Sequence, residues 1–168
     1  MKEYYARRAA EYDATSWEAF DEAERETGFL TRHLRGSVVG VDQSAEVLEL
    51  ARARLPGTEL VCADVPPLPF GDGAFDFAFS SNVYSHLETA AARAEFVAEA
   101  LRASRELVVL EQAWRLGRDQ ELWELRRLLD GSEHRVFKRY LTAVQLAREL
   151  DGVVVFASAE FVAVRTPV

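Results

Sequence analysis

Val38-Val39-Gly40-Val41-Asp42 is the stretch that decides the fold of this chain. It is short, apolar and rich in β-branched residues, and it ends on an acid, so it predicts a buried β-strand. Ser44 can cap a helix, and the helical pattern continues to Leu55, where Pro56-Gly57 stops it. A strand that leads directly into a helix is the repeating unit of an α/β fold.

The same alternation continues towards the C-terminus. Apolar segments at residues 60–63, 75–79 and 107–110 predict three further strands, and the Ala-, Arg- and Glu-rich residues 89–103 predict a helix before the last of them. Strands that are apolar along their whole length and are separated by helices favour a parallel sheet covered on both faces.

The end of the chain breaks this pattern. Residues 153–157 and 161–165 predict two strands with only Ser158-Ala159-Glu160 between them. This connection is too short for a parallel crossover, so we expect an antiparallel hairpin.

The composition limits the class of protein. The 168 residues suit one domain, and a net charge of -8 argues against nucleic acid as a partner. The single cysteine, Cys62, lies in an apolar run and is expected to be a buried thiol, and three dispersed histidines give no reason to expect a metal. No apolar stretch is long enough to cross a membrane and no signal segment is evident, so we expect a cytoplasmic protein without membrane contact.

The order of these elements resembles class I S-adenosylmethionine-dependent methyltransferases, and the similarity runs from Gly28 to about Val164. The resemblance implies a Rossmann-like α/β fold whose mostly parallel sheet ends in a C-terminal antiparallel hairpin. It also implies a single domain over residues 1–168, with an N-terminal helical lid at 1–26 and an α/β core at 27–168.

The resemblance assigns two acids to the cofactor. Asp42, followed by Gln43, occupies the place of the acid that holds both ribose hydroxyls, and a carboxylate can accept two hydrogen bonds in that geometry. The alternative is that Asp42 and its neighbours cap the next helix. Asp64, followed by Val65, corresponds to the acid beside the adenine amino group, and Leu68-Pro69-Phe70 matches a turn of the family; otherwise Asp64 is a turn residue.

Other positions follow from the same resemblance. Ser80, at the exit of the strand at residues 75–79, would lie along the methionine part of the cofactor. His86 is the candidate catalytic base, since a histidine titrates near neutrality, or it caps a helix that starts near Leu87. Tyr5 belongs to a predicted helix at residues 3–12 that would fold over the cofactor, although aromatic residues there commonly serve packing.

One landmark of the family is missing. A first strand and a glycine-rich loop should precede Gly28, but residues 20–26 are polar and predict a helix instead. The missing strand would lie between the strands at residues 38–42 and 75–79. These two strands could pair directly, a partner chain could supply a segment as in a homodimer, or the sheet could split. We expect weaker cofactor affinity than in an intact relative.

The expected activity is therefore S-adenosylmethionine-dependent methyl transfer to a small-molecule acceptor. The alternatives are a degenerate methyltransferase fold that serves as a binding module, and a nicotinamide oxidoreductase, against which Asp64 and the final hairpin argue. The basic stretch at residues 126–139 suggests either a pocket for an anionic molecule or, more commonly, a solvated helix face. Trp114, Trp123 and Phe137 are expected in the core.

Overall fold

The structure of the chain, a computed structural model, describes residues 1–11 and 36–167. Its helices are α1 (Lys2–Arg8), α2 (Ala45–Arg54), α3 (Ala90–Ala103) and α4 (Ala143–Glu149), with short 3₁₀ turns at Ala9–Glu11 and Tyr84–His86. Its strands are β1 (Val39–Asp42), β2 (Glu59–Cys62), β3 (Ala78–Ser81), β4 (Leu107–Gln112), β5 (Glu121–Arg127), β6 (Glu133–Arg139), β7 (Val153–Ala157) and β8 (Phe161–Arg165).

The described residues group into two compact units. The first contains residues of Met1–Val65 together with Arg126–His134, and the second contains Pro66–Leu125 together with residues of Arg135–Val168. One domain over residues 1–168 with a lid at 1–26 therefore stays a prediction. Most of the lid, the polar residues 20–26 and Gly28 lie outside the described residues.

The first unit contains the strand that decides the fold. β1 and β2 pair in parallel, with Asp42 opposite Cys62. Ser44 is the N-cap of α2, because its Oγ accepts a hydrogen bond from the backbone N–H of Val47 at 3.2 Å. The strand, the cap and the helix expected after residue 44 are confirmed, but the strand is only partly buried, and Val38 precedes it and is 40% exposed.

The second unit contains a four-stranded sheet in the order β3-β4-β8-β7. β3 runs parallel to β4, and β8 runs antiparallel to both β4 and β7, which confirms the predicted C-terminal hairpin. β3 begins three residues later than expected, and Phe75 instead forms an isolated bridge with Ser104. The centre of this sheet is inaccessible to solvent, since Val109 and Val164 have no exposed surface.

The β1–β2 pair and the four-stranded sheet are separate hydrogen-bonded sheets among the described residues. The three arrangements expected for the missing strand stay predictions. The proposed loss of the first strand itself concerns residues outside the described ranges and stays a prediction.

The basic stretch at residues 126–139 is not a helix face, and that expectation is wrong. β5 and β6 form a two-stranded sheet, and exposed and partly buried residues alternate along β5 with the period of two that a strand requires. Trp123 lies on the outer side and is 46% exposed, so its assignment to the core is also wrong, whereas Phe137 is 8% exposed and is confirmed there. Trp114 is partly buried, and its ring N–H donates to the carbonyl of Arg118.

β7 is one of the two edge strands of the four-stranded sheet among the described residues, and every one of its residues is exposed. Val153, Val154, Val155 and Phe156 are 38% to 61% exposed, and a β-bulge interrupts the pairing with β8 between Val154 and Phe156. None of the helices within residues 1–11 and 36–167 has the length and apolar character needed to cross a membrane.

Candidate functional site

Asp42 lies at the carboxyl end of β1, which is the edge where open α/β sheets bind their ligands. Its Oδ1 accepts a hydrogen bond from the backbone N–H of Ser44 at 2.8 Å. Burial raises the pKa of Asp42, and the backbone N–H groups of Ser44 and Gln43 partly offset that rise. The Ser44 hydroxyl caps α2, and Asp42 binds the backbone N–H of this same capping residue, which matches the alternative that Asp42 and its neighbours cap the helix. Contact of Asp42 with a cofactor stays a prediction.

An open depression of about 430 Å³ lies in the same unit, and neither Asp42 nor Asp64 is among its lining residues. Gln43 and Cys62, which follow β1 and end β2, form part of its wall. The remaining lining residues come from α1 and from the start of α2: Lys2, Glu3, Ala6, Ala45 and Glu46. The Cys62 thiol is exposed, so the expectation of a buried thiol is wrong: Cys62 ends a strand whose last side chain faces this depression.

Asp64 follows β2 and is exposed to solvent. The Lys2 ammonium lies 3.2 Å from its Oδ1, but the two side chains are 59% and 67% exposed, so this ion pair contributes little to stability. A ligand can therefore replace Lys2 at Asp64 with little loss. Val65, the next residue, is partly buried.

Tyr5 and Tyr4 lie in α1, in the same unit as Asp42 and Asp64. Tyr4 is 3% exposed and its ring meets that of Tyr5 edge to face at 5.0 Å. The packing role is thus confirmed for Tyr4, whereas Tyr5 is partly buried and its cofactor contact stays a prediction.

Ser80 and His86 belong to the second unit. Ser80 is buried in β3, and its hydroxyl has no hydrogen-bond partner among the described residues. His86 is also buried, and its Nδ1 lies 2.6 Å from the carbonyl oxygen of Phe137. The alternative of a helix cap is wrong for His86, because α3 begins at Ala90 and is capped by the Thr89 hydroxyl.

A buried polar cluster around the turn Tyr84–His86 was not expected from the sequence. Glu111 of β4 is fully buried, and its Oε1 accepts a hydrogen bond from the backbone N–H of Ser85 at 3.1 Å. Lys138 of β6 is buried as well, and its ammonium donates to the Ser85 hydroxyl at 2.9 Å. Burial raises the pKa of Glu111, while the charge of Lys138 opposes that rise. The only sign of this cluster in the sequence was Glu111, an acid inside the apolar run at residues 107–112.

A second group of hydrogen bonds, which the sequence also did not predict, involves Tyr84 of the same turn. The Tyr84 hydroxyl donates to Glu149 Oε2 at 2.8 Å. The Arg139 guanidinium donates to both oxygens of Glu149, at 2.7 and 3.0 Å. These hydrogen bonds to the ionised form lower the pKa of Glu149, and burial together with the bond to Glu149 raises the pKa of Tyr84.

The first unit has the features that a nucleoside cofactor needs. The half-buried carboxylate of Asp42 has one oxygen bound to a backbone N–H and can accept further hydrogen bonds from hydroxyl groups. The depression lined by Gln43 and Cys62 has a volume within the range of about 300 to 1,000 Å³ that small-molecule sites occupy. The chemistry of Asp42 suits a ribose, and its contact with one stays a prediction.

Comparison with known proteins finds solved structures with a similar fold. Among solved structures it is similar to the DhpI-SAM-HEP complex, with 22% identity, a TM-score of 0.74, and coverage of 98% of this chain and 95% of that one. It is also similar to 1,6-didemethyltoxoflavin-N1-methyltransferase of Burkholderia thailandensis, with bound 1,6-didemethyltoxoflavin and S-adenosylhomocysteine. That match has 18% identity, a TM-score of 0.56, and coverage of 84% and 64%. Likeness at these identities shows the Rossmann-like fold.

The sequence also matches an uncharacterized 37.1 kDa protein in transposon TN4556 of Streptomyces fradiae. The two are 35% identical over 82 residues, which is 47% of this chain and 24% of the relative. The chain thus matches only about a quarter of that protein's length. The family described as "Methyltransferase domain" matches residues 25–108, which is half of the 168 residues and contains Asp42, Asp64, Ser80 and His86. The chain therefore belongs to the methyltransferase domain family.

Proposed function

We propose that the chain transfers a methyl group from S-adenosylmethionine to a small-molecule acceptor. The observation that supports this most directly is Asp42, a half-buried acid at the carboxyl end of a parallel strand, whose neighbour Gln43 lines a depression of about 430 Å³. The similar DhpI structure is a complex with SAM, and the similar methyltransferase of Burkholderia thailandensis has S-adenosylhomocysteine bound.

Each predicted residue has a role in this proposal. Asp42 accepts hydrogen bonds from the ribose hydroxyls, and Gln43 lies along the sugar. Asp64 and Val65 flank the adenine, with Asp64 released from the exposed ion pair with Lys2. Further contacts come from Tyr5, from Gly28 and from the Ser80 hydroxyl, which lacks a partner among the described residues.

Methyl transfer asks the protein mainly for alignment, because the sulfonium of the cofactor supplies an already activated methyl group. His86 is the proposed general base. Its Nδ1 faces a carbonyl oxygen, which can only accept, so Nδ1 carries the hydrogen. Nε2 is then the nitrogen that takes up a proton from the acceptor.

A small-molecule acceptor suits the charge of the chain, since a net charge of -8 opposes the binding of nucleic acid. The methyltransferase of Burkholderia thailandensis, which has the same fold, has a small molecule bound.

Two measurements test the proposal. Mass spectrometry of the purified, acid-precipitated protein should detect S-adenosylmethionine or S-adenosylhomocysteine that was carried through purification. Calorimetric titration should give saturable binding of S-adenosylmethionine, weaker than in a relative with an intact glycine loop. A lack of measurable binding at millimolar cofactor would contradict the proposed activity, and tight stoichiometric binding would contradict the expected weakening.

The second candidate is a methyltransferase fold that binds a partner or metabolite without catalysis. The polar residues 20–26, which stand where the family has its first strand and glycine-rich loop, favour it. Replacing Asp42 with Ala separates the two candidates, because binding of S-adenosylmethionine should be lost in an enzyme, whereas binding of the partner or metabolite should be unchanged in such a module. A homodimer, in which a partner chain supplies a missing segment, is tested by light scattering coupled to size-exclusion chromatography.

A further inference from the structure

The turn Tyr84–His86 carries the proposed base and is a single turn of 3₁₀ helix after β3. Two backbone hydrogen bonds form within it, from His86 N to Val83 O and from Leu87 N to Tyr84 O. Runs of 3₁₀ helix this short have little stability of their own. The orientation of the imidazole must therefore depend on the elements packed around the turn.

Three bonds from neighbouring strands anchor the turn. From β4, the Glu111 carboxylate accepts the backbone N–H of Ser85. From β6, Lys138 donates to the Ser85 hydroxyl, and the carbonyl of Phe137 faces His86 Nδ1. The side chains of all three turn residues are buried, so water does not compete for these bonds.

The burial of the Glu111 carboxylate has a high cost in free energy. Its side chain has no exposed surface, and its Oε2 has no hydrogen-bond partner among the described residues. Leu107, Val108, Val109 and Leu110 precede it in β4 and are all buried, so an apolar side chain would suit the position better if packing alone mattered. The bond to the Ser85 backbone and the charge opposite Lys138 are the features that an apolar side chain could not provide.

We propose that Glu111 is a positioning residue for the reaction. It fixes the backbone of Ser85 and thereby holds the imidazole of His86 against the carbonyl of Phe137. This inference rests on the proposed function, in which His86 is the base. Because Nδ1 is held as the hydrogen-bond donor, the ring keeps the tautomer in which Nε2 can take up a proton. Glu111 touches neither cofactor nor acceptor in this role.

The test measures the ring N–H of His86 by ¹⁵N NMR, in the full chain and without any cofactor or acceptor. The resonance is assigned by its loss in His86→Gln. Glu111→Leu removes the acceptor for Ser85, and we expect hydrogen exchange of the ring N–H to become at least about tenfold faster, as the loss of one buried hydrogen bond predicts. Glu111→Gln keeps an oxygen for Ser85 and should exchange like the wild type.

Thr166→Val is the matched control. The Thr166 hydroxyl is buried at the opposite end of β4, where it accepts the backbone N–H of Leu107 at 3.0 Å. Its loss removes a buried hydrogen bond from the same strand without touching the turn, so exchange of the His86 ring N–H should not change. Equal acceleration in Thr166→Val and Glu111→Leu, or wild-type exchange in Glu111→Leu, would overturn the proposal.

If Glu111→Leu does not fold, the wild-type protein still tests the idea. The Ser85 amide and the His86 ring N–H should exchange through one opening event, with the same dependence on denaturant. A ring N–H that opens while the Ser85 amide stays protected would refute the role of Glu111. Failure of the chain to bind S-adenosylmethionine in calorimetry would instead remove the proposed function and leave the exchange result unchanged.

Discussion

Replacing Asp42 with Asn separates the structural role of this residue from its proposed role. The amide oxygen of the new side chain can still accept the backbone N–H of Ser44, which Asp42 Oδ1 accepts at 2.8 Å. The amide nitrogen cannot accept a ribose hydroxyl, so at least one charge-assisted hydrogen bond is lost. Such a bond contributes about 1.5 to 3 kcal/mol, which corresponds to a rise in Kd of about 10- to 100-fold.

Calorimetric titration with S-adenosylmethionine measures this change. Ser44→Ala is the matched control: it removes the hydroxyl that caps α2 through Val47 but keeps the Ser44 backbone N–H that Asp42 binds. It should lower the free energy of unfolding by about 1 kcal/mol and leave the Kd unchanged. Wild-type affinity in Asp42→Asn would show that the acid does not hold the sugar.

The same interaction should depend on pH. Burial raises the pKa of Asp42 above the ordinary value of 3.8, and a protonated acid is a poorer acceptor for the ribose hydroxyls. Affinity for S-adenosylmethionine should therefore fall as the pH is lowered towards that raised pKa, and it should stay nearly constant in Asp42→Asn. An identical pH profile for both proteins would contradict the reasoning.

Three further predictions concern other parts of the molecule. Gly152→Ala would place a Cβ 2.5 Å from a backbone carbonyl oxygen of β8, so urea denaturation should show a loss of roughly 1 to 3 kcal/mol, whereas Gly71→Ala, which has open space, should be nearly neutral. Arg139 lowers the pKa of Glu149, so Glu149 stabilises the fold above its unfolded pKa of about 4.3 and loses that effect as the pH falls below it. Glu149→Gln should thus lower the unfolding free energy by roughly 2 kcal/mol at neutral pH, and the deficit should shrink in acid. The exposed Cys62 thiol should react with Ellman's reagent in the native protein, and S-adenosylhomocysteine should slow the reaction because Cys62 lines the depression; unchanged rates would place the cofactor elsewhere.

Local patterns predicted the elements that carry the candidate cofactor site. The strand ending at Asp42, the cap at Ser44 and the helix within residues 89–103 were predicted correctly, because short-range backbone preferences determine each of them. The C-terminal hairpin was predicted as well, since a three-residue connection permits no other pairing.

Features that depend on tertiary contacts were missed. The charges of residues 126–139 suggested a helix, although alternation along β5 is the stronger signal, and Trp123 lies on the exposed side of that strand. Cys62 seemed buried because its neighbours in the sequence are apolar, but it faces the depression. The burial of Glu111 and Lys138 depends on β4 and β6 meeting the same turn, which no local pattern reveals.

The exposed edge strand β7 has a consequence for how the protein behaves at high concentration. Its outward side chains carry no charge, and an uncharged, apolar sheet edge can recruit a strand from another molecule. The bulge at Val155 breaks the regular backbone repeat, so a recruited strand would find matching positions only at Val153 and Val154 on one side and at Phe156 and Ala157 on the other. Edge strands of two molecules can therefore pair only over short lengths, which hinders the growth of extended fibres.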